Sequence, residues 1–74
     1  MIGKLGYNDE NNRFGILVGD LWKNDGLHCG ETLKVFLNDK WEFDRLEYKN
    51  NSWYLFYSGL IGEELEGLKV EYKW

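Results

Sequence analysis

The chain is predicted to be all-β, a small barrel of five to six short antiparallel strands with one short helical turn near residues 60–66. Three observations predict this. No stretch of ten or more residues keeps a helical period without interruption by glycine or β-formers. Short alternating runs recur at tight spacing, the pattern of a small barrel or sharply bent sheet. Proline is absent, so punctuation falls to nine glycines and seven asparagines, which suit turns with positive φ. Residues 1–74 form a single domain with no linker, repeat or low-complexity tract.

Ile2 to Tyr7 reads as the first strand, and Gly3 and Gly6 within it signal a bulge or a close backbone approach. Asn8 to Asn12 is a turn by composition. Arg13 to Val18 is the second strand, with Phe14, Ile16 and Val18 on one face and Gly15 and Leu17 on the other. Asp20 to Gly26 reads as a polar loop carrying Trp22. Glu31 to Leu37 alternates, with Leu33, Val35 and Leu37 facing one way and Thr32, Lys34 and Phe36 the other. Asn38-Asp39 suits a two-residue hairpin turn, since both types tolerate the left-handed region. The return strand, Trp41 to Tyr48, changes phase between Phe43 and Leu46, and a β-bulge near Asp44-Arg45 would restore one apolar face. After a turn at Lys49-Asn50-Asn51, Ser52 to Ser58 is aromatic on both faces. Gly59 to Gly67 is an acidic connection long enough for one helical turn. Leu68 to Trp74 closes the chain, with Leu68, Val70, Tyr72 and Trp74 on one face.

Composition narrows the function. A chain of 74 residues buries roughly 60% of its unfolded surface, which leaves little room for a deep catalytic cleft. Four Trp, five Tyr and four Phe are many for that size. Each can bury about 150–250 Å², so some are expected at the surface, where aromatics mark binding patches. Nine basic residues lie scattered among thirteen acidic ones, for a net charge of −4. This argues against direct nucleic-acid binding and against an anionic membrane surface, both of which need clustered cations. One cysteine excludes an intramolecular disulfide, and no signal-like apolar run occurs, so the expected location is the cytoplasm of whatever cell makes the protein.

The run Leu27-x-x-Gly30-Glu31-x-Leu33-x-Val35, followed by a short turn and a Trp-led strand, resembles the diverging turn and central hairpin of SH3-like barrels. The later helical turn and closing strand have counterparts in Leu60 to Leu65 and Leu68 to Tyr72, whereas the proline of a typical SH3 ligand groove is absent. A second resemblance covers nearly the whole chain. Gly3-x-Leu5-x-Tyr7-Asn8, Arg13-Phe14, Leu27-His28-Cys29-Gly30-Glu31, Val35, Trp41, Arg45, Trp53-Tyr54-Leu55 and Gly67-Leu68-x-Val70 are similar to a family of short uncharacterised proteins from Firmicutes and their phages and mobile elements. That resemblance implies a compact accessory protein in a bacterial or phage setting, and it transfers no functional residue.

His28 and Cys29 are the only residues of their types. As neighbours in an extended segment they point to opposite sides, which disfavours a nucleophile–base pair. Zinc takes three or four ligands, more than His28, Cys29 and Glu31 supply without distant help. No metal site, catalytic residue or cofactor is therefore assigned. The plainer reading makes Cys29 a small buried hydrophobe, Gly30 a turn, and His28 or Glu31 a partner for loop backbone. Arg45 is expected to pair with Asp44 or Glu47, or to stack on Trp41 or Trp53. The acidic run Glu63-Glu64-Leu65-Glu66, with Asp20 and Asp25, could imitate a phosphate backbone or simply be a solvated face.

The expected function is a non-enzymatic binding module that contacts a host protein stoichiometrically, in the concrete form of an inhibitor of a bacterial defence system. Trp22, Trp41, Trp53, Tyr54 and Tyr57 are the candidate protein-binding residues. The aromatic surplus leaves room for a homodimer. The alternative is a small-ligand or nucleotide binder using His28, Glu31 and Arg45.

Overall fold

The computed structural model describes residues 1–73. Seven strands form one antiparallel sheet: β1 (Ile2–Asn8), β2 (Arg13–Val18), β3 (Leu21–Asn24), β4 (Thr32–Leu37), β5 (Lys40–Lys49), β6 (Ser52–Leu55) and β7 (Lys69–Glu71). Their order across the sheet is β3-β2-β1-β7-β4-β5-β6, and a 3-10 turn at Gly62–Leu65 separates β6 from β7. The all-β architecture and the late helical turn are those expected. The strand count exceeds five to six because the Asp20–Gly26 stretch, read as loop, contains β3. Of the closing face, Trp74 lies outside the described residues.

The turns follow from the asparagines. Asn38 and Asp39 have φ of 52° and 64°, and Asn50 and Asn51 have φ of 53° and 62°. Positive φ at both central residues gives the turn whose twist matches a two-residue hairpin. The β4–β5 and β5–β6 hairpins are thereby set in register, with Leu37 opposite Lys40 and Lys49 opposite Ser52.

The ten-residue β5 pairs with β4 from Lys40 to Arg45 and with β6 from Leu46 to Lys49. It thus carries the sheet around a bend, and the 3-10 turn brings the chain back so that β7 can sit between β1 and β4. The enclosed core consists of Leu5, Phe14, Ile16, Leu27, Leu33, Val35, Leu46, Trp53, Leu55, Leu65, Val70 and Tyr72. Val18, expected on this face, is exposed.

The bulge expected near Asp44-Arg45 is not formed. The β4–β5 register runs unbroken from Leu37–Lys40 to Thr32–Arg45. Instead, Asp44 takes an inward position on the same face as Leu46, and Phe43 points outward and is exposed. The carboxylate is tolerated there because it accepts backbone hydrogens. Asp44 Oδ1 accepts from the amides of Arg45 and Tyr57 (2.8 Å each), and Oδ2 from that of Ser58 (3.0 Å). A buried carboxylate needs such donors to offset its lost hydration.

The glycine signal in β1 resolves as close approach. Gly6 lies opposite Gly15, and Trp22 from β3 packs over this bare patch on the outer face. A Cβ on Gly15 would come within 2.3 Å of the Asn24 carbonyl and 2.8 Å of the Trp22 ring.

Candidate binding groove

The inner face of the sheet opens at one end, and four aromatic side chains line the opening. Tyr7 at the end of β1 lies opposite Phe14 of β2, with ring centroids 5.3 Å apart and nearly edge to face. Tyr48 at the end of β5 lies opposite Trp53 of β6, with centroids 4.8 Å apart. Each pair is a cross-strand neighbour imposed by the hairpin that carries it. The two hairpins meet through Asn12. The Trp53 indole Nε1 donates to the Asn12 carbonyl at 3.0 Å, and the Tyr7 hydroxyl donates to Asn12 Oδ1 at 3.0 Å. Asn12 can offer both because it sits at φ 57°, a conformation asparagine adopts readily.

The 3-10 turn supplies the remaining wall with Gly62, Glu63 and Glu66, and Asn51 and Ser52 complete a groove of about 840 Å³. Glu66 Oε1 accepts from the Tyr7 amide at 3.0 Å, which anchors the turn to β1. Among the described residues, no Lys, Arg or His lines the groove. A smaller cleft adjoins it on the far side of Tyr48 and Trp53, lined by Asn12, Arg13, His28 and Cys29.

Only Trp53 among the five aromatics singled out from the sequence lines this groove. Trp22 lies on the glycine patch of the outer face and is 38% exposed. Trp41 is half-buried against Phe36, with centroids 5.2 Å apart. Tyr54 lies opposite Glu47 and bridges to Ile61. Tyr57 is 69% exposed beside Phe56. The five are therefore spread over separate regions and do not form one patch.

His28, Glu31 and Arg45 do not converge either. The Glu31 carboxylate closes its own turn: Oε2 accepts from the His28 amide at 2.7 Å, and Oε1 accepts from the Tyr72 hydroxyl. Burial, followed by this hydrogen bond and the charge of Glu31, pushes the Tyr72 hydroxyl up to about 12. Gly30, at φ 92°, turns the chain so that its amide donates to the Leu46 carbonyl at 2.7 Å. His28 and Glu31 line different clefts. Arg45 Nε approaches Glu47 Oε2 at 2.5 Å as expected, but its guanidinium lies 4.4 Å from the Phe56 centroid and not over Trp41 or Trp53. Cys29, expected to be buried, is instead exposed, with Sγ 3.2 Å from Glu47 Oε1. Among the described residues, no three His, Cys, Asp or Glu side chains gather as a metal site would require.

The model of the family described as a domain of unknown function, DUF5348, matches residues 3–72. The chain belongs to this family. A crystal structure of a protein from Ruminococcus gnavus is similar to it throughout, with 36% sequence identity and a TM-score of 0.77 over 96% of this chain and 99% of that one. No curated protein matches the chain. The expected resemblance to a short family without assigned activity thus stands in the form of DUF5348. Among the described residues, no helix is long and apolar enough to cross a membrane.

In this DUF5348 chain, sequence reading missed Tyr7, Phe14, Tyr48, Glu63 and Glu66 as groove residues. One of them, Tyr48, carried a usable signal. A two-residue turn at Asn50-Asn51 places Tyr48 directly opposite Trp53, so the pair follows from turn length. Tyr7 and Phe14 needed the register of a longer turn, and the two glutamates needed the return path of the chain after β6.

Proposed function

We propose that the chain is a non-enzymatic binding module that holds a segment of a partner protein in the groove beside Trp53. The observation that carries this reading is the gathering of four aromatic side chains from two sequence-distant hairpins around one open groove. Rigid aromatics around a concave surface supply large contact area at low entropic cost. The order of β1–β2–β3, the β4–β5–β6 meander, the 3-10 turn and the closing strand supports an SH3-like description of the barrel. Motif resemblance supplies the setting: a phage or mobile-element accessory protein that binds a host protein in the bacterial cytoplasm, acting as an inhibitor of a defence component.

The test is affinity capture from lysate of a Firmicutes host with wild type, Tyr48→Ala and Trp22→Ala. Tyr48 is exposed, so its removal leaves the core packed. A partner retained by wild type and Trp22→Ala but lost with Tyr48→Ala is expected. A partner retained equally by all three would remove the groove from the interaction.

A second reading has one supporting observation: His28 and Arg13 share the cleft adjoining Trp53. That cleft could take a small anionic ligand such as a nucleotide. Nucleotide-induced thermal stabilisation that disappears in His28→Ala would favour it over protein capture.

A further inference from the structure

We infer that the groove takes a basic side chain, arginine or lysine, projecting from the partner protein; this rests on reading the groove as a protein-docking site. Three features of the groove converge on a cation. Two of its three ring-borne donors are already engaged, because the Trp53 indole N–H and the Tyr7 hydroxyl both donate to Asn12. Its charged groups are both carboxylates. Glu66 is held in place by the Tyr7 amide, and the exposed Glu63 carboxylate has no hydrogen-bond or ion-pair partner among the described residues. Its walls are aromatic, and aromatic faces attract cations through the ring quadrupole.

The contrast with the rest of the surface sharpens the point. Elsewhere the chain's own cations lie over several of its aromatics, though among the described residues over none of Trp22, Tyr54 and Tyr57. Arg45 lies over Phe56, Lys69 lies 5.3 Å from the Phe36 centroid and 5.9 Å from that of Trp41, and Lys34 lies 5.8 Å from that of Phe43. Among the described residues, no Lys or Arg sits over Tyr7, Phe14, Tyr48 or Trp53. The groove therefore offers the exposed rings of Tyr7 and Tyr48, acceptors and negative charge, a combination complementary to a guanidinium or ammonium group. A carboxylate or phosphate would meet Glu63 and Glu66 as like charges. A neutral apolar side chain would leave the Glu63 carboxylate without compensation for any water it lost.

The test uses the full chain, N-acetyl-arginine-N-methylamide, and the isosteric, uncharged citrulline counterpart as probes in two-dimensional NMR titrations. The arginine probe is expected to shift the Trp53 indole resonance and the Gly62 and Glu63 amides, and the citrulline probe to leave them in place. Glu63→Gln, an exposed change that keeps the fold, should weaken arginine binding about tenfold, and added salt should weaken it in wild type. Equal shifts from both probes, or arginine binding unchanged in Glu63→Gln, would overturn the inference. The two readings fail separately. A captured protein lost with Tyr48→Ala but retained with Glu63→Gln keeps the docking groove and removes its cation preference. Capture unaffected by Tyr48→Ala removes the groove itself.

Discussion

At the scale of single residues, Asp44 and Tyr72 place polar chemistry inside a core that hydrophobic patterning describes incompletely. Asp44 is 2% exposed, and its two oxygens bind three backbone amides, two of them in the turn that follows β6. Asp44→Ala should cost about 2–3 kcal/mol, because those donors lose their acceptor. Asp44→Asn keeps the shape and one acceptor oxygen and should cost about 1 kcal/mol. Urea unfolding of the two variants gives the comparison, and equal losses would mean that shape rather than acceptor number matters. Tyr72 has a hydroxyl raised from the ordinary 10.0 to about 12, first by burial and then by the hydrogen bond and charge of Glu31. The folded protein thus holds this proton more tightly than the unfolded chain does. The resulting stabilisation is complete below pH 10 and disappears as pH rises through about 12. Tyr72→Phe, which has no such proton, should therefore lose less stability than wild type between those limits. Parallel slopes in denaturation measured across that window would refute the assignment.

At the scale of elements, what could be read from the sequence depended on whether a local turn set the pairing. The β4–β5 hairpin was legible because Asn38-Asp39 dictates its register. The same hairpin misled at Asp44, because an inward carboxylate looks like a phase slip until its amide partners from the turn after β6 are known. β3 was illegible for a different reason. Its four residues show no apolar alternation, and what holds Trp22 is the absence of side chains at Gly6 and Gly15 on neighbouring strands. Gly15→Ala tests that arrangement. The added Cβ meets backbone at the Asn24 carbonyl, so β3 has to separate from β2. The variant should lose about 1–3 kcal/mol, as overpacked sites do, and cross-strand NOEs between Leu17 and Trp22 should vanish while those of the β4–β5 hairpin persist. Retention of the Leu17–Trp22 contacts at wild-type stability would show that the glycine pair is incidental to the seating of β3.

At the scale of the whole molecule, the groove is a consequence of closure. Its two aromatic pairs are each local to one hairpin, but those hairpins lie on opposite sides of β7 in the sheet order. The Trp53 indole joins them by donating to the Asn12 carbonyl across 41 residues of sequence. Removing that donor while keeping an aromatic ring separates closure from packing. Trp53→Phe should lose about 1 kcal/mol for the hydrogen bond, in addition to a smaller packing loss. The loss should not be uniform, since proteins open locally where tertiary contacts are few. Amide exchange should quicken around Asn11 and Arg13, in the turn that loses its tether. It should stay slow at Val35 and Val70, which pair in the middle of the sheet. Partner capture should weaken more than the stability loss alone accounts for, because Tyr7 and Phe14 would no longer be held at a fixed distance from Tyr48. Uniformly faster exchange throughout the sheet would instead make Trp53 a general core residue. Slow exchange near Asn11 together with undiminished capture would show that each wall of the groove is held by its own hairpin.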